Sequence, residues 1–182
     1  SAPTVEELGN YVKTGRQEFD MAIPFVPPMV EIDTWSPGKL KRDIWERYQA
    51  LKEEGWWANF FSNHDKPRQV SLYGDSGEYW EASAKLLAMF LHGLPGTPFV
   101  YQGEEIGMTN LGLPAIEDYN DPDTQNRYRQ LVLSGMEPEA ALARAQLESR
   151  DNARTPMQWN GSPKAGFTAG IPWLQVNPNT ER

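Results

Sequence analysis

The sequence predicts a parallel α/β fold. Three observations carry that expectation: three short apolar runs, two helical patterns lying between them, and no clean polar–apolar alternation within the runs. Alternation is lost when both faces of a strand are covered, as in a parallel sheet. The order strand, helix, strand, helix, strand corresponds to two consecutive βαβ units.

The first strand is expected over 19–25 (FDMAIPF), the second over 57–61 (WANFF) and the third over 97–101 (TPFVY). Each is too short for a helix and is flanked by turn or charged residues. Between the first two, Ser36-Pro37 forms a helix start, a capping serine followed by proline at the first helical position. Leu40, Ile44, Tyr48 and Leu51 then share one face, with Gly55 placed to end the helix. The second helix is expected over 78–92. Trp80, Ala84, Leu87 and Leu91 form its stripe, and Leu86, Met89 and Phe90 widen it, so it should be the more buried of the two.

Beyond Tyr101 the pattern changes. Residues 106–124 are rich in Gly, Pro, Asn and Asp and read as a long loop. Helical stretches are expected over 125–133 and 138–149, and the tail from Ala153 carries Pro156, Pro163, Pro172 and Pro178 and reads as irregular. Residues 1–105 form the βαβαβ portion in this reading, and 106–182 an insertion within the same domain.

The chain has 182 residues, 17 Lys and Arg against 25 Asp and Glu, and a net charge of -8. That length suits one domain. The acidic balance counts against nucleic-acid binding, which needs clustered cations to displace phosphate counterions. With no cysteine, a disulfide scaffold and a thiol nucleophile are excluded, and with two histidines a His-based metal site is not expected. No apolar run approaches the roughly 20 residues that cross a bilayer. The first residues, SAPTVEELGNY, do not read as a secretory signal, so a cytoplasmic location is expected, with no cofactor and no membrane partner.

Chemistry concentrates in FFSNHDKPR, where Asn63, His64 and Asp65 follow the second strand. The carboxyl ends of parallel strands are where such sheets place ligands. The residues alone leave open whether Asp65 serves a ligand, caps the turn toward Pro67 or pairs with Arg68.

FFSNHDKPR, LHGLPGTPFVYQGEEIGM and SRDNARTPMQWN, in that order, resemble three blocks of the α-amylase-type (family 13) glycoside hydrolases. They are most similar to the oligo-1,6-glucosidase, dextran glucosidase and α-glucosidase branch, and the resemblance runs over nearly the whole chain. It implies retaining hydrolysis of α-glucosidic bonds on a (β/α)8 barrel, of which this chain would supply about strands six to eight with their helices and the insertion after strand eight. Retaining enzymes use two carboxyl groups about 5–5.5 Å apart, a nucleophile and a general acid/base. The family adds a third aspartate that grips sugar hydroxyls and favours the transition state, and Asp65 matches it. His64 matches the family's sugar-binding histidine. Arg150 matches a sugar-holding arginine, with Arg154 a competing candidate and a structural salt bridge from Arg150 to Asp151 or Glu148 the alternative.

No segment resembles the nucleophile or acid/base motif. The start, SAPTVEELGNYV, resembles the stretch just after that acid/base glutamate, and NPNTER stops before the last barrel helix. The expectation is therefore a piece of a larger α-glucosidase acting on short α-1,6- or α-1,4-linked oligosaccharides, inactive alone and prone to self-association through exposed sheet edges. The alternatives are a trehalose-6-phosphate hydrolase, a sucrose-isomerising relative, or a barrel homologue that lost the chemistry. Glu104 and Glu105 are expected to be structural. Asp118, Asp121 and Asp123 lack the EF-hand offsets and read as a solvated loop. His92 reads as a cap or core histidine. Trp57 and Phe61 read as core, and Trp159 as part of the pocket wall.

Overall fold

The computed structural model describes residues 4–13, 15, 18–24, 36–51 and 55–179. The chain divides into two compact units, residues 1–61 with 89–99, and residues 62–88 with 100–182. No helix among the described residues is long and apolar enough to cross a membrane.

The first unit holds helix α1 (Val5–Val12), helix α2 (Pro37–Leu51), strands β1 (Ala58–Asn59) and β2 (Thr97–Pro98), and the last turn of helix α4 (Trp80–Gly93). A capping box starts α1: Glu7 N donates to Thr4 Oγ1 at 3.1 Å, and Thr4 N donates to Glu7 Oε2 at 2.7 Å. Ser36 caps α2 as its sequence suggested, accepting from Lys39 N at 3.2 Å. The helix runs to Leu51; the stretch leading to Gly55 lies outside the described residues.

The strands form where the apolar runs lie and run parallel, but they are shorter than expected. Ala58 pairs with Thr97 and Asn59 with Pro98, while Ala22 makes a single parallel bridge to Trp57. Proline explains part of the shortening, because Pro24 and Pro98 have no N–H to extend a ladder. The first run is not buried throughout: Phe19 is 65% exposed, and Met21 and Ile23 are also open to solvent. Phe25 lies outside the described residues.

Gly96, at φ 125°, permits the approach of strand to strand. A Cβ there would sit 2.4 Å from Asn59 Nδ2 and 2.5 Å from the Trp57 carbonyl. That room lets Asn59 Nδ2 reach the Pro95 carbonyl at 2.9 Å. Trp57 and Phe61 are core residues, as expected: Trp57 packs near Val12, Leu8 and Ala22, and Phe61 stacks on Phe90 at 5.6 Å.

Helix α4 departs from expectation. Leu91 is buried, but Leu86 and Met89 are 66% and 73% exposed, so its apolar arc is wider than the surface this chain offers to cover it.

The second unit holds α3 (Gln69–Tyr73), most of α4, α5 (Pro122–Leu133), α6 (Pro138–Glu148) and α7 (Asp151–Arg154), with 3₁₀ turns at Glu104–Ile106, Ile116–Asp118 and Pro163–Gly166. Proline opens both α5 and α6 at their first turns, and the two helices pack together. The stretch from 106 to 121 is irregular, as expected, yet it is not loosely held. Leu111, Leu113 and Tyr119 form a buried cluster. Buried Asn152 accepts from Leu111 N at 2.9 Å and donates to the Gln146 carbonyl at 2.8 Å, so one side chain of α7 ties the loop to α6.

Candidate active site

The turn after Ser62 shapes the site. Asn63 Oδ1 accepts from Asp65 N at 2.9 Å, and Lys66 N donates to the Asn63 carbonyl at 3.2 Å. This asparagine-closed turn pushes the side chains of His64 and Asp65 outward, 70% and 45% exposed. Asp65 neither caps the turn toward Pro67 nor pairs with Arg68. Its Oδ2 lies 3.1 Å from His64 Nε2, and its Oδ1 accepts from Arg154 Nη2 at 2.6 Å.

Helix α7 delivers the cations. Arg150 and Arg154 are one helical turn apart, on one side of the segment. Arg154 reaches Asp65 directly and also donates through Nε to the His64 carbonyl at 3.0 Å. Arg150 stands 3.9 Å from Asp65 Oδ1 and spends its shorter contacts elsewhere, at 2.5 Å to Asp121 Oδ1 and 2.7 Å to Asp123 Oδ2. The three residues singled out in the sequence, His64, Asp65 and Arg150, are therefore brought together, with the competing Arg154 in the closer contact.

The alternative salt bridges suggested for Arg150 do not form. Asp151 instead accepts from Asn120 N and Asp121 N at 2.7 and 3.0 Å, and Glu148 pairs with Arg127 and Arg144. Nor is Asp121 a solvated loop residue: its side chain is 1% exposed. Burial alone would raise its carboxyl, but hydrogen bonds from Arg150 and Thr124 outweigh that and hold it below the ordinary range. The same Asp121 hydrogen bond holds the Arg150 guanidinium above its usual value. Asp121 was missed because its partner lies 29 residues away, at the start of α7.

Arg154 also walls a cavity of about 330 Å³, together with Tyr101, Gln102, Met157, Phe167 and Trp173. The aromatic wall of this cavity includes Trp173 and not Trp159. Trp173 donates through Nε1 to the Arg154 carbonyl at 2.8 Å and meets Phe167 edge-on at 5.1 Å, whereas Trp159 is 62% exposed and lies outside the lining. Arg150, Asp121, Asp123, Arg127 and Glu148 border a second cavity, of about 220 Å³.

Glu104 and Glu105 sit in a 3₁₀ turn, so strand geometry does not separate them. Glu105 accepts from Gly103 N at 2.7 Å. Glu104 is buried and accepts from the Ser62 hydroxyl. Burial pushes its carboxyl up to about 7, against the opposing pull of Ser62, the Tyr101 backbone and the Arg68 charge. His92 is exposed in the last turn of α4 and is not a core residue. No group of three or more His, Cys, Asp or Glu side chains placed to hold a metal ion occurs among the described residues.

Known proteins match this arrangement over the whole length described. The family profile "Alpha amylase, catalytic domain" covers residues 3–182. An oligo-1,6-glucosidase of Parageobacillus thermoglucosidasius is 45% identical over 93% of this chain and 32% of its own length. A trehalose-6-phosphate hydrolase of Escherichia coli is 40% identical, the match spanning 100% of this chain and 34% of that protein. Among solved structures, trehalose-6-phosphate hydrolase of Bacillus licheniformis superposes with a TM-score of 0.89 at 41% identity, over 99% of this chain and 34% of that one. Isomaltulose synthase of Klebsiella sp. LX3 superposes with a TM-score of 0.88 at 34% identity, over 97% of this chain and 34% of that one. The chain thus spans about a third of the length of the relatives it matches. With a family profile running from residue 3 to residue 182, the chain belongs to the α-amylase catalytic-domain family of glycoside hydrolases (family 13).

Proposed function

We propose that this chain forms one wall of the glucose-binding pocket of a retaining α-glucosidase that removes terminal glucose from short α-1,6- or α-1,4-linked oligosaccharides. In this reading Asp65 grips hydroxyls of the bound glucose and holds them more tightly as the ring flattens toward an oxocarbenium ion. His64 Nε2, beside the same carboxylate, reaches those hydroxyls. Arg154 fixes the carboxylate's orientation, and Arg150, held by Asp121 and Asp123, stands beside it as a further donor for the sugar. The nucleophile and the acid/base belong to polypeptide outside these 182 residues. Residues 1–105 are assigned to strands six to eight of the barrel and 106–182 to the insertion that follows.

The observation that carries the reading is the half-exposed Asp65 carboxylate, held between His64 Nε2 at 3.1 Å and Arg154 Nη2 at 2.6 Å. An exposed carboxylate so fixed is ready for a ligand's hydroxyls on its open side. The similarity to oligo-1,6-glucosidases supports the substrate class, and the similarity to trehalose-6-phosphate hydrolases supports a second specificity on the same pocket.

The test compares the 182-residue chain with the full-length polypeptide that contains it. The chain alone is expected to give no turnover of p-nitrophenyl α-glucoside, because a hydroxyl-gripping aspartate neither attacks the anomeric carbon nor protonates a leaving group. The full-length protein is expected to release glucose from isomaltose in preference to trehalose 6-phosphate and sucrose. Turnover by the chain alone, or no release of glucose from any of these by the full-length protein, would overturn the proposal.

A further inference from the structure

Arg68 is 3% exposed, yet nothing in the proposed chemistry uses it directly. A buried guanidinium is costly unless its donors are met, and here each of its three nitrogens donates to a backbone carbonyl. Nε donates to the Asn152 carbonyl at 3.0 Å, Nη2 to the Ala153 carbonyl at 3.2 Å, and Nη1 to the Gln102 carbonyl at 2.6 Å. The Arg68 backbone N–H donates to Asn110 Oδ1 at 2.8 Å. The guanidinium carbon lies 5.4 Å from the centre of the Tyr101 ring, and the Tyr101 hydroxyl donates to the same Ala153 carbonyl at 3.0 Å.

The placement of these bonds is informative. Arg68 follows Asp65 by three residues, and Ala153 immediately precedes Arg154. One side chain therefore ties the segment that follows Asp65 to the helix bearing Arg154, whose own side chain meets Asp65 at 2.6 Å. The chain also makes room for it. Gly103 has φ 101°, and a Cβ there would lie 2.7 Å from Arg68 Nη1 and 2.6 Å from Met108 Sδ. A side chain at 103 would crowd the ends of Arg68 and Met108, and its positive φ would be strained for any residue but glycine. Lysine would not replace Arg68 either, since a single ammonium lacks the planar fork that addresses three carbonyls together.

We propose that Arg68 is a positioning residue that sets the spacing between Asp65 and Arg154, and so governs how well Asp65 stabilises the transition state. This rests on the reading of Asp65 as the hydroxyl-gripping aspartate. Loss of the fork lets α7 shift against the Asp65 turn by a fraction of an ångström, and small displacements of a binding group cost far more in rate than in stability.

The experiment is a double-mutant cycle in the full-length enzyme, with p-nitrophenyl α-glucoside as substrate. Arg68→Lys is expected to lower kcat about 100-fold with KM changed less than about fivefold. In an Asp65→Asn background the same Arg68→Lys change is expected to cost less than about threefold, because its effect passes through Asp65. Should Arg68→Lys fail to fold, Tyr101→Phe removes the second donor to the Ala153 carbonyl and is expected to cost about fivefold in kcat, again only when Asp65 is present. Equal costs in both backgrounds, or folded single variants within about twofold of the parent, would overturn the proposal. Retention of activity by Asp65→Asn alone would instead overturn the reading on which it rests.

Discussion

Arg154 and Asp65 are 89 residues apart in the chain, and their side chains meet at 2.6 Å with both groups partly open to solvent. An ion pair that exposed contributes only about 0–1 kcal/mol to stability. Its value lies in fixing the direction of the Asp65 oxygens. Arg154→Met is therefore expected to shift the melting temperature by no more than about 3 °C while lowering kcat on isomaltose at least about tenfold. Differential scanning calorimetry and steady-state kinetics on the full-length enzyme check the two parts. A variant that melts much earlier but keeps its kcat would reverse the assignment.

Arg150 should behave in the opposite way. It neutralises Asp121, whose side chain is 1% exposed, and its removal would leave that buried charge without a cation, held only by hydrogen bonds such as that from Thr124. Arg150→Met is expected to cost about 3 kcal/mol in urea unfolding, discounted from the fully buried case because the arginine is itself 33% exposed. Adding Asp121→Asn should recover most of the loss. No recovery would mean that Arg150 acts through its 3.9 Å approach to Asp65 instead.

Glu104 supplies a pH dependence whose sign follows from its burial. Its carboxyl is pushed up to about 7 in the folded chain from an ordinary 4.5. Between those values the folded state holds a proton that the unfolded state releases, so this group's contribution to stability falls as pH rises from about 4.5 to 7 and stays low above. A gap of that size corresponds to at most about 3 kcal/mol. Glu104→Gln, which keeps the shape and removes the titration, is expected to raise the melting temperature at pH 8 relative to the parent and to change it little at pH 4.5. An equal change at both values would assign the effect to packing.

Exposed apolar side chains predict the behaviour of the chain by itself. Leu86, Met89 and Ile171 are 66%, 73% and 97% exposed. Such surface favours association, so sedimentation velocity on the isolated 182-residue chain is expected to show concentration-dependent oligomers. A monomer with a single cooperative unfolding transition would contradict this.

The fold was legible wherever local chemistry decides it. Ser36-Pro37 and Pro138 start helices by rules that need no partner, and α2 and α6 begin where expected. Thr4 and Glu7 carried an equally readable capping box that the apolar-run reading passed over. Helices α3 and α7 span five and four residues, too few for a periodicity to declare itself. In the site, the NHD turn was readable because asparagine closes it locally. The division of labour between Arg150 and Arg154 was not, since it depends on the burial of Asp121, which precedes α5. Trp173 was hidden by its setting in a proline-rich tail, where nothing marks a residue that folds back over Arg154.

The rate of the Asp65→Asn variant of the full-length enzyme bears most directly on the whole account. Asparagine keeps the size and loses the charge, so folding should be unaffected. The account expects kcat on isomaltose to fall about 10³-fold while the circular dichroism spectrum and melting temperature match the parent. A folded variant whose kcat stays within about tenfold of the parent would show that Asp65 does not hold the sugar in its transition state.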